Sequence, residues 1–326
     1  MKADIVIPTT GRRSLRGLIR SLENCNLESL NSVYVVYNGV VRGSITAVDS
    51  SALNITNLFE PNRGVNRARN LGLERCTADI AIFLDDDCEI ADRDFIKKYI
   101  EAFGADKEAT AIGGVYIANS SKNSTSRAYS ALQDFWFFSG QMPDSQNAHL
   151  LGGNVGYSIK NLGKARFNEQ IKFGGSETEL HFRLRAAGHR LIGRSEIGVV
   201  HNVQVGLFQF FRRALLQGLN KKLLKLTAKS QGVENKLAEL ELYNKTSRFW
   251  PRLYVKLFMF LFSCTEIWAN NEGKRIKKLS RYLKSSFDNS IRDGLSDFDA
   301  RVKFMIRRHE RRTIIAGRDN KDLNIK

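Results

Sequence analysis

Short β-branched apolar runs alternate with helical patterns through the first half of the chain, and this alternation restricts the fold more than any other feature. Strand-like runs at Asp4–Ile7, Ser32–Tyr37 and Ile80–Leu84 are separated by a helical stretch from about Ser14 to Leu22 and by another before Ile80. Strands spaced by helices argue for βαβ units in a mainly parallel sheet, an α/β fold. Ligands of such sheets bind beyond the carboxyl ends of the strands. The residues to read are therefore Pro8-Thr9-Thr10-Gly11-Arg12, Asn38-Gly39 and Asp85-Asp86-Asp87.

The last of these groups carries the strongest chemical signal. Three adjacent carboxylates follow the apolar run Ile80-Ala81-Ile82-Phe83-Leu84, where a buried strand reaches the ligand edge. Crowded like charges in a half-buried site are tolerated mainly when a cation neutralises them, and a hard divalent ion, Mn2+ or Mg2+, would do so while bridging to a diphosphate. An exposed acidic turn capping a helix explains the triple equally well, because Asp satisfies free N–H groups and complements the helix dipole there.

Charge divides the chain. Residues 1–206 carry 24 Lys/Arg against 22 Asp/Glu, whereas residues 207–326 carry 27 against 12, so nearly all of the net +17 belongs to the C-terminal third. Strand signals fade after Gly206 and helical periodicity takes over, with Phe208, Phe211, Leu215 and Leu219 on one stripe and Ile276, Leu279, Tyr282 and Leu283 on another. The expected organisation is an α/β domain over 1–206 followed by a basic helical region over 207–326. Its charge suits an anionic membrane surface, and its stripes suit an oligomer contact such as a homodimer. Nucleic acid is not expected, since no recognition motif accompanies the charge. The apolar segment Phe249–Trp268 is interrupted by Arg252, Lys256 and Glu266, which reads as an interfacial or packing helix and not a membrane span. Four cysteines without CxxC spacing, and no apolar leader ahead of the first strand, fit a reducing cytoplasm.

Several motifs in order resemble glycosyltransferase family 2 over roughly residues 3–206. Ile5-Val6-Ile7-Pro8-Thr9-Thr10 resembles the family's first strand and nucleotide-cradling loop, and Asn62–Gly72 resembles its N-x-G-x-x-x-A-R-N-x-G stretch. Phe83-Leu84-Asp85-Asp86-Asp87 resembles the strand end that carries its DxD motif. The resemblance implies a GT-A fold, mixed but mainly parallel, with a nucleoside-diphosphate sugar donor. It places Pro8, Thr9, Arg12, Asn38, Arg69, Asp85, Asp86 and Gly153 at the donor, with Asp85 facing the ribose and Asp87 taking the metal. Gly174–Gly188 resembles the helix start that holds the general base of these inverting enzymes, which here is Glu177. Ser176 stands where the family usually has Glu, and Glu177 where it usually has Asp. His201, after the run Ile197–Val200, falls where many relatives place a metal-binding histidine. The second strand ends Val36-Tyr37-Asn38-Gly39-Val40 and lacks the Asp that commonly reads uracil; Tyr37 is expected to stack on a base and Asn38 to pair with it.

The implied reaction is inverting transfer of a sugar to a hydroxyl acceptor on a glycan, lipid or protein, in surface glycan or glycoconjugate synthesis, at the inner face of the membrane. The glycines of Gly152-Gly153-Asn154-Val155-Gly156-Tyr157 allow close backbone approach and would floor the donor-sugar pocket. The aromatics Phe135–Phe138 would line the acceptor side or fill core. Two rivals differ in testable ways. A sugar-phosphate nucleotidyltransferase should open with a glycine-rich loop after its first strand, which Pro8–Arg12 is not; a non-catalytic nucleotide-sugar-binding protein would bind donor without turnover.

Overall fold

The computed structural model describes residues 1–118, 124–139, 150–169, 171, 176–202, 204–214, 257 and 260. The chain divides into two units, Met1–Phe262 and Ser263–Lys326, and every described residue lies in the first. In chain order the elements are β1 (Ala3–Thr9), α1 (Leu15–Glu23), β2 (Leu30–Asn38), β3 (Ile55–Glu60), α2 (Val65–Arg75), β4 (Ile80–Leu84) and β5 (Cys88–Glu89). They continue with α3 (Phe95–Ala105), β6 (Ala109–Ala118), α4 (Ser124–Ser139), β7 (Asn154–Ser158), α5 (Ile159–Leu162), α6 (Ser176–Ala186) and β8 (Arg190–His201).

The eight strands form one sheet in the order β3-β2-β1-β4-β7-β6-β8-β5. The pairs β1/β2, β1/β4, β2/β3 and β6/β8 are parallel, while β7 runs antiparallel to both β4 and β6, and β5 antiparallel to β8. This is the expected mixed, mainly parallel sheet. Strands β1 and β4, inside the sheet, are covered on both faces, which is why they read as continuous apolar runs and not as alternating ones. All seven residues of β1 and all five of β4 are buried. Asp4 is the exception in kind: its buried carboxylate accepts hydrogen bonds from the backbone N–H groups of Thr77 and Ala78 and from Asn31, tying β1 to the entry of β4.

The motif Asn62–Gly72 owes its composition to how α2 seats on the sheet. A Cβ on Gly72 would lie 2.3 Å from Val6 Cγ1, so only glycine lets the helix approach β1 this closely. Asn66 donates to the carbonyls of Asn168 and Ile171, and Asn70 both donates to the carbonyl of Phe167 and accepts from its N–H. Ala68 fills core. One face of the helix thus fastens Phe167, Asn168 and Ile171.

At the far end of the described unit lie Phe208 and Phe211 of the expected apolar stripe, whose Leu215 and Leu219 fall outside the described residues. Phe210 and Ala214 are the residues buried, while Phe208 is half exposed. The turn before this helix is held by Thr125 and Ser126 at the start of α4, which hydrogen-bond to Val205 and set the helix rotation. Arg213 lies over the Tyr129 ring, 4.7 Å from its centroid. Among the described residues no helix is long and apolar enough to cross a membrane. The segment Phe249–Trp268, apart from residues 257 and 260, and the basic stripe at 274–284 lie outside the described residues, as do the side chains of Phe135–Phe138.

Candidate active site

The carboxyl end of β4 meets the ends of β1, β6 and β8 in one cluster. Asp85 leaves β4 beneath the 151–153 turn, its N–H directed at the Gly153 carbonyl at 3.4 Å. One oxygen lies 3.5 Å from Arg69 Nη2, and the other accepts the Tyr116 hydroxyl at 3.3 Å. Burial pushes its carboxyl up, against the opposing pull of Arg69. Tyr116, on β6, accepts the Gly153 N–H at 3.0 Å while donating to Asp85, and burial holds its phenol protonated for that purpose. Its ring stacks on His201 with centroids 4.1 Å apart. The sequence reading passed over Tyr116 because a tyrosine within a strand looks like core.

Asp87 sits at the mouth of the cluster. Backbone pairing puts it there: β5 aligns Cys88 with His201, and the Asn202 N–H donates to the Asp87 carbonyl at 3.0 Å. His201 Nε2 is 3.2 Å from Asp87 Oδ1, and its Nδ1 is 3.3 Å from Gln133 Oε1. Burial alone would raise the Asp87 carboxyl, but the His201 hydrogen bond, the His201 charge and Arg12 together hold it below the ordinary carboxylate value. These two residues suit a hard divalent cation. With a cation in place of the proton shared with Asp87, a histidine donating Nδ1–H to Gln133 would offer its Nε2 lone pair beside an ionised carboxylate. Cys88 Sγ belongs to the same group within 4.8 Å. It directs its S–H at the Gly153 carbonyl, and burial raises the thiol well above its normal range, so it stays a protonated thiol and a poor partner for such an ion.

Glu177 opens α6, with Glu179 also in its first turn, where both complement the helix dipole. Glu177 Oε2 is 3.7 Å from Arg69 Nη1. Glu179 is a different kind of carboxylate, buried and bidentate to Arg183 at 2.8 and 3.0 Å. Arg69 itself is buried, hydrogen-bonded to the Gly152 carbonyl at 3.3 Å and lying over the Phe167 ring. Expected at the donor, it bridges Asp85 and Glu177.

Two adjacent glycines separate these carboxylates. A Cβ on Gly152 would come within 2.8 Å of Arg69 Nη2 and 3.1 Å of Glu177 Cδ, and one on Gly153 within 2.3 Å of Asp85 and 2.5 Å of the Tyr116 hydroxyl. The turn passes between the two acids only because neither residue has a side chain. Asn154, fully buried, locks the following strand by accepting from Tyr99 and donating to the carbonyls of Val115 and Ile197.

Other expected donor contacts take internal roles. Asp86 accepts the Thr9 hydroxyl at 2.6 Å and lies 3.6 Å from Arg12, which also reaches Asp87 at 3.7 Å. Thr9 in turn accepts the Gly11 N–H. Asp86 and Thr9 thereby brace the loop after β1, and Pro8 is buried within the strand. Asn38 accepts the Gly64 N–H at 2.7 Å, positioning the start of α2. Tyr37 cannot stack on a base: it is buried, stacks on Phe59 with centroids 5.0 Å apart and accepts the Val48 N–H. An edge-of-sheet tyrosine points to either face with strand parity, and this one points inward.

Comparison with known proteins agrees with this geometry. No curated protein matches the chain by sequence. Among solved structures, residues 1–349 of S. aureus TarS superpose with a TM-score of 0.53 at 13% identity, covering 91% of this chain and 80% of that one. The same protein in complex with UDP-GlcNAc gives 0.50 at 14%, covering 87% and 81%. The mannosyltransferase PcManGT from Pyrobaculum calidifontis, in complex with GDP-Man and Mn2+, gives 0.50 at 14%, covering 93% and 86%. At such identities the likeness is one of fold, GT-A. The family model for glycosyl transferase family 2 matches residues 4–164, a stretch that holds β1, the Arg69 helix, the β4 carboxylates and the double glycine. On that match residues 4–164 belong to glycosyltransferase family 2, and the protein is a glycosyltransferase.

Proposed function

We propose that the protein is a metal-dependent, inverting transferase that moves a sugar from a nucleoside-diphosphate donor to a hydroxyl acceptor, with Glu177 as general base. The observation that carries this reading is the arrangement across the double glycine. A half-buried carboxylate, Glu177, stands on one side, and the Asp85, Asp87 and His201 group stands on the other. An inverting displacement needs a base on the face of the sugar opposite the leaving group, and separate groups to receive that leaving group. Gly152 and Gly153 let the backbone pass between the two groups.

Asp87 and His201 would hold the cation, Mn2+ or Mg2+. When bound, such an ion supplies positive charge against the departing diphosphate. Asp85, oriented by Tyr116 and Arg69, accepts hydrogen bonds from donor hydroxyls. Arg12, more than half exposed, closes the diphosphate side while restraining Asp86 and Asp87. Glu177 takes the acceptor proton, and Arg69 keeps its carboxylate aimed across the turn. The GDP-Man and Mn2+ bound to the Pyrobaculum enzyme, and the UDP-GlcNAc bound to TarS, support a nucleotide-sugar donor and a divalent ion.

The acceptor is a glycan, lipid-linked or protein hydroxyl, and the setting is the cytoplasmic face of a membrane, held there by the basic region at 207–326 as a peripheral contact or through a homodimer. The catalytic domain ends near residue 206. The deciding experiment is turnover of a panel of nucleotide sugars by the full chain with Mn2+, with Mg2+ and with chelator, reading the product anomer by NMR. A product of retained configuration would remove Glu177 from its role as base, and unchanged turnover in chelator would remove the cation.

A further inference from the structure

Beside the donor centre, and sharing with it only Arg12, lies a cavity of about 430 Å3 whose lining includes Arg12, Arg13, Arg16, Arg20, Tyr37 and Thr46. We infer that this cavity is a second anion site, built for a phosphate-bearing ligand, in which Arg13, Arg16 and Arg20 supply the charge. Three observations lead there. The spacing of Arg16 and Arg20 is i, i+4, which places both on one face of α1, and Arg13 lines the same cavity from the turn that precedes the helix. Among the described residues, no ion pair engages any of the three, whereas Arg12 is held by Asp86 and Asp87. Two of the arginines also oppose the helix: the first turn of α1 contains no acid, the Ser14 side chain makes no capping bond, and Arg13 and Arg16 stand at the end where the dipole favours anions, whereas Arg20 lies in the last turn.

The site is made by guanidinium groups and not by the helix terminus, because the first N–H groups of α1 are already taken by the carbonyls of Arg12, Arg13 and Ser14. The opposite wall is firm. Tyr37 is fixed by Phe59 and Val48, and Gly11, with φ at +83°, turns the chain against Ile45. Glu89 meets the lining at Gly17, where a Cβ would lie 3.2 Å from its carboxylate oxygen, and three unpaired guanidiniums outweigh it. Planar forks at one-turn spacing suit the oxygens of a phosphate or diphosphate, which they grip bidentately. The volume is that of a small-ligand pocket.

Binding of inorganic pyrophosphate to the full chain, followed by calorimetry in chelator so that no cation bridges it to the donor centre, tests this directly. The expected result is saturable binding that Arg16→Ala/Arg20→Ala weakens at least about tenfold, that Arg16→Lys/Arg20→Lys partly keeps, and that Asp87→Ala leaves intact. A second arm uses phosphatidylcholine vesicles with and without phosphatidic acid, separating a lipid-borne phosphate from a free one. Selective binding to phosphatidic acid with the same loss in the double Ala variant supports the site and assigns it a lipid source. Binding to neither probe, or binding equal in wild type and the double Ala variant when both give the same far-UV spectrum, overturns it.

Discussion

Gly153→Ala is the sharpest test of the site as described. The added methyl would lie 2.3 Å from Asp85 Cγ and Oδ2 and 2.5 Å from the Tyr116 hydroxyl. Ordinary contact between such atoms begins near 3.5 Å, so either the turn or the carboxylate must move by about 1 Å. Neither neighbour yields freely, since Asp85 is held by Arg69 and Tyr116, and Tyr116 is wedged against His201. Overpacking of this kind costs about 1–3 kcal/mol, which for a unit of this size lowers Tm by roughly 2–12 °C. A misplacement of about 1 Å at a reacting centre costs on the order of a hundredfold in rate. Because the strained contact falls on the donor acid and not on Glu177, most of the loss should enter donor KM and kcat/KM. Gly206→Ala serves as the control, since a Cβ there meets nothing within 4 Å. Donor turnover assayed beside thermal unfolding gives both quantities. A Gly153→Ala enzyme within threefold of wild type in kcat/KM, with unchanged Tm, would refute the packing argument.

Asp87→Ala should abolish metal-dependent binding of a nucleoside diphosphate by calorimetry; retained Mn2+ dependence would take Asp87 out of the metal site. Glu177→Gln should keep donor affinity and lower turnover by at least about a hundredfold. Glu179→Gln, by contrast, should cost stability through its buried pair with Arg183, visible as a lower Tm; the reverse assignment would show the wrong carboxylate was chosen. Asp87 has a depressed carboxyl value, so its contribution to stability is present above the ordinary Asp range near pH ~4 and is lost as pH falls through its folded value. In acid unfolding, wild type should therefore lose more stability than Asp87→Asn below pH ~4, and parallel curves would contradict the His201 pairing. The basic region predicts co-sedimentation with anionic but not neutral liposomes, weakened by salt and lost on truncation after Gly206; equal partitioning to both would discard membrane attachment.

The fold was legible where one physical rule dominated. β1 and β4 read correctly because strands covered on both faces must be apolar throughout, and β4 was placed to the residue. β3, with no fully buried residue, and β5, only two residues long, left no pattern to see. The antiparallel β7 between β4 and β6 was equally invisible. Its residues were singled out for their glycines, yet the direction of a strand is fixed by long-range pairing that no local period records.

In the site, residue type was legible and orientation was not. Asp85-Asp86-Asp87 looked like one cluster with a shared ligand, but adjacent residues leaving a strand point different ways, and the three carboxylates separate. Asp85 meets Arg69 and Tyr116, Asp86 meets Thr9, and Asp87 meets His201. On the proposed function two of the three face the reaction centre, and the middle one fastens the loop that carries Arg12. The same logic explains Arg69 and Tyr116. A buried arginine between Asp85 and Glu177 resists the mutual repulsion of two acids that must share a small space, and a tyrosine that both donates and accepts fixes the first of them to the backbone of the glycine turn. Neither role can be read from a motif, because each depends on partners distant in sequence: Gly152 and Glu177 for Arg69, Asp85, Gly153 and His201 for Tyr116. The motif selects the chemistry, and the β6 to β8 half of the sheet, beyond β4, aims it.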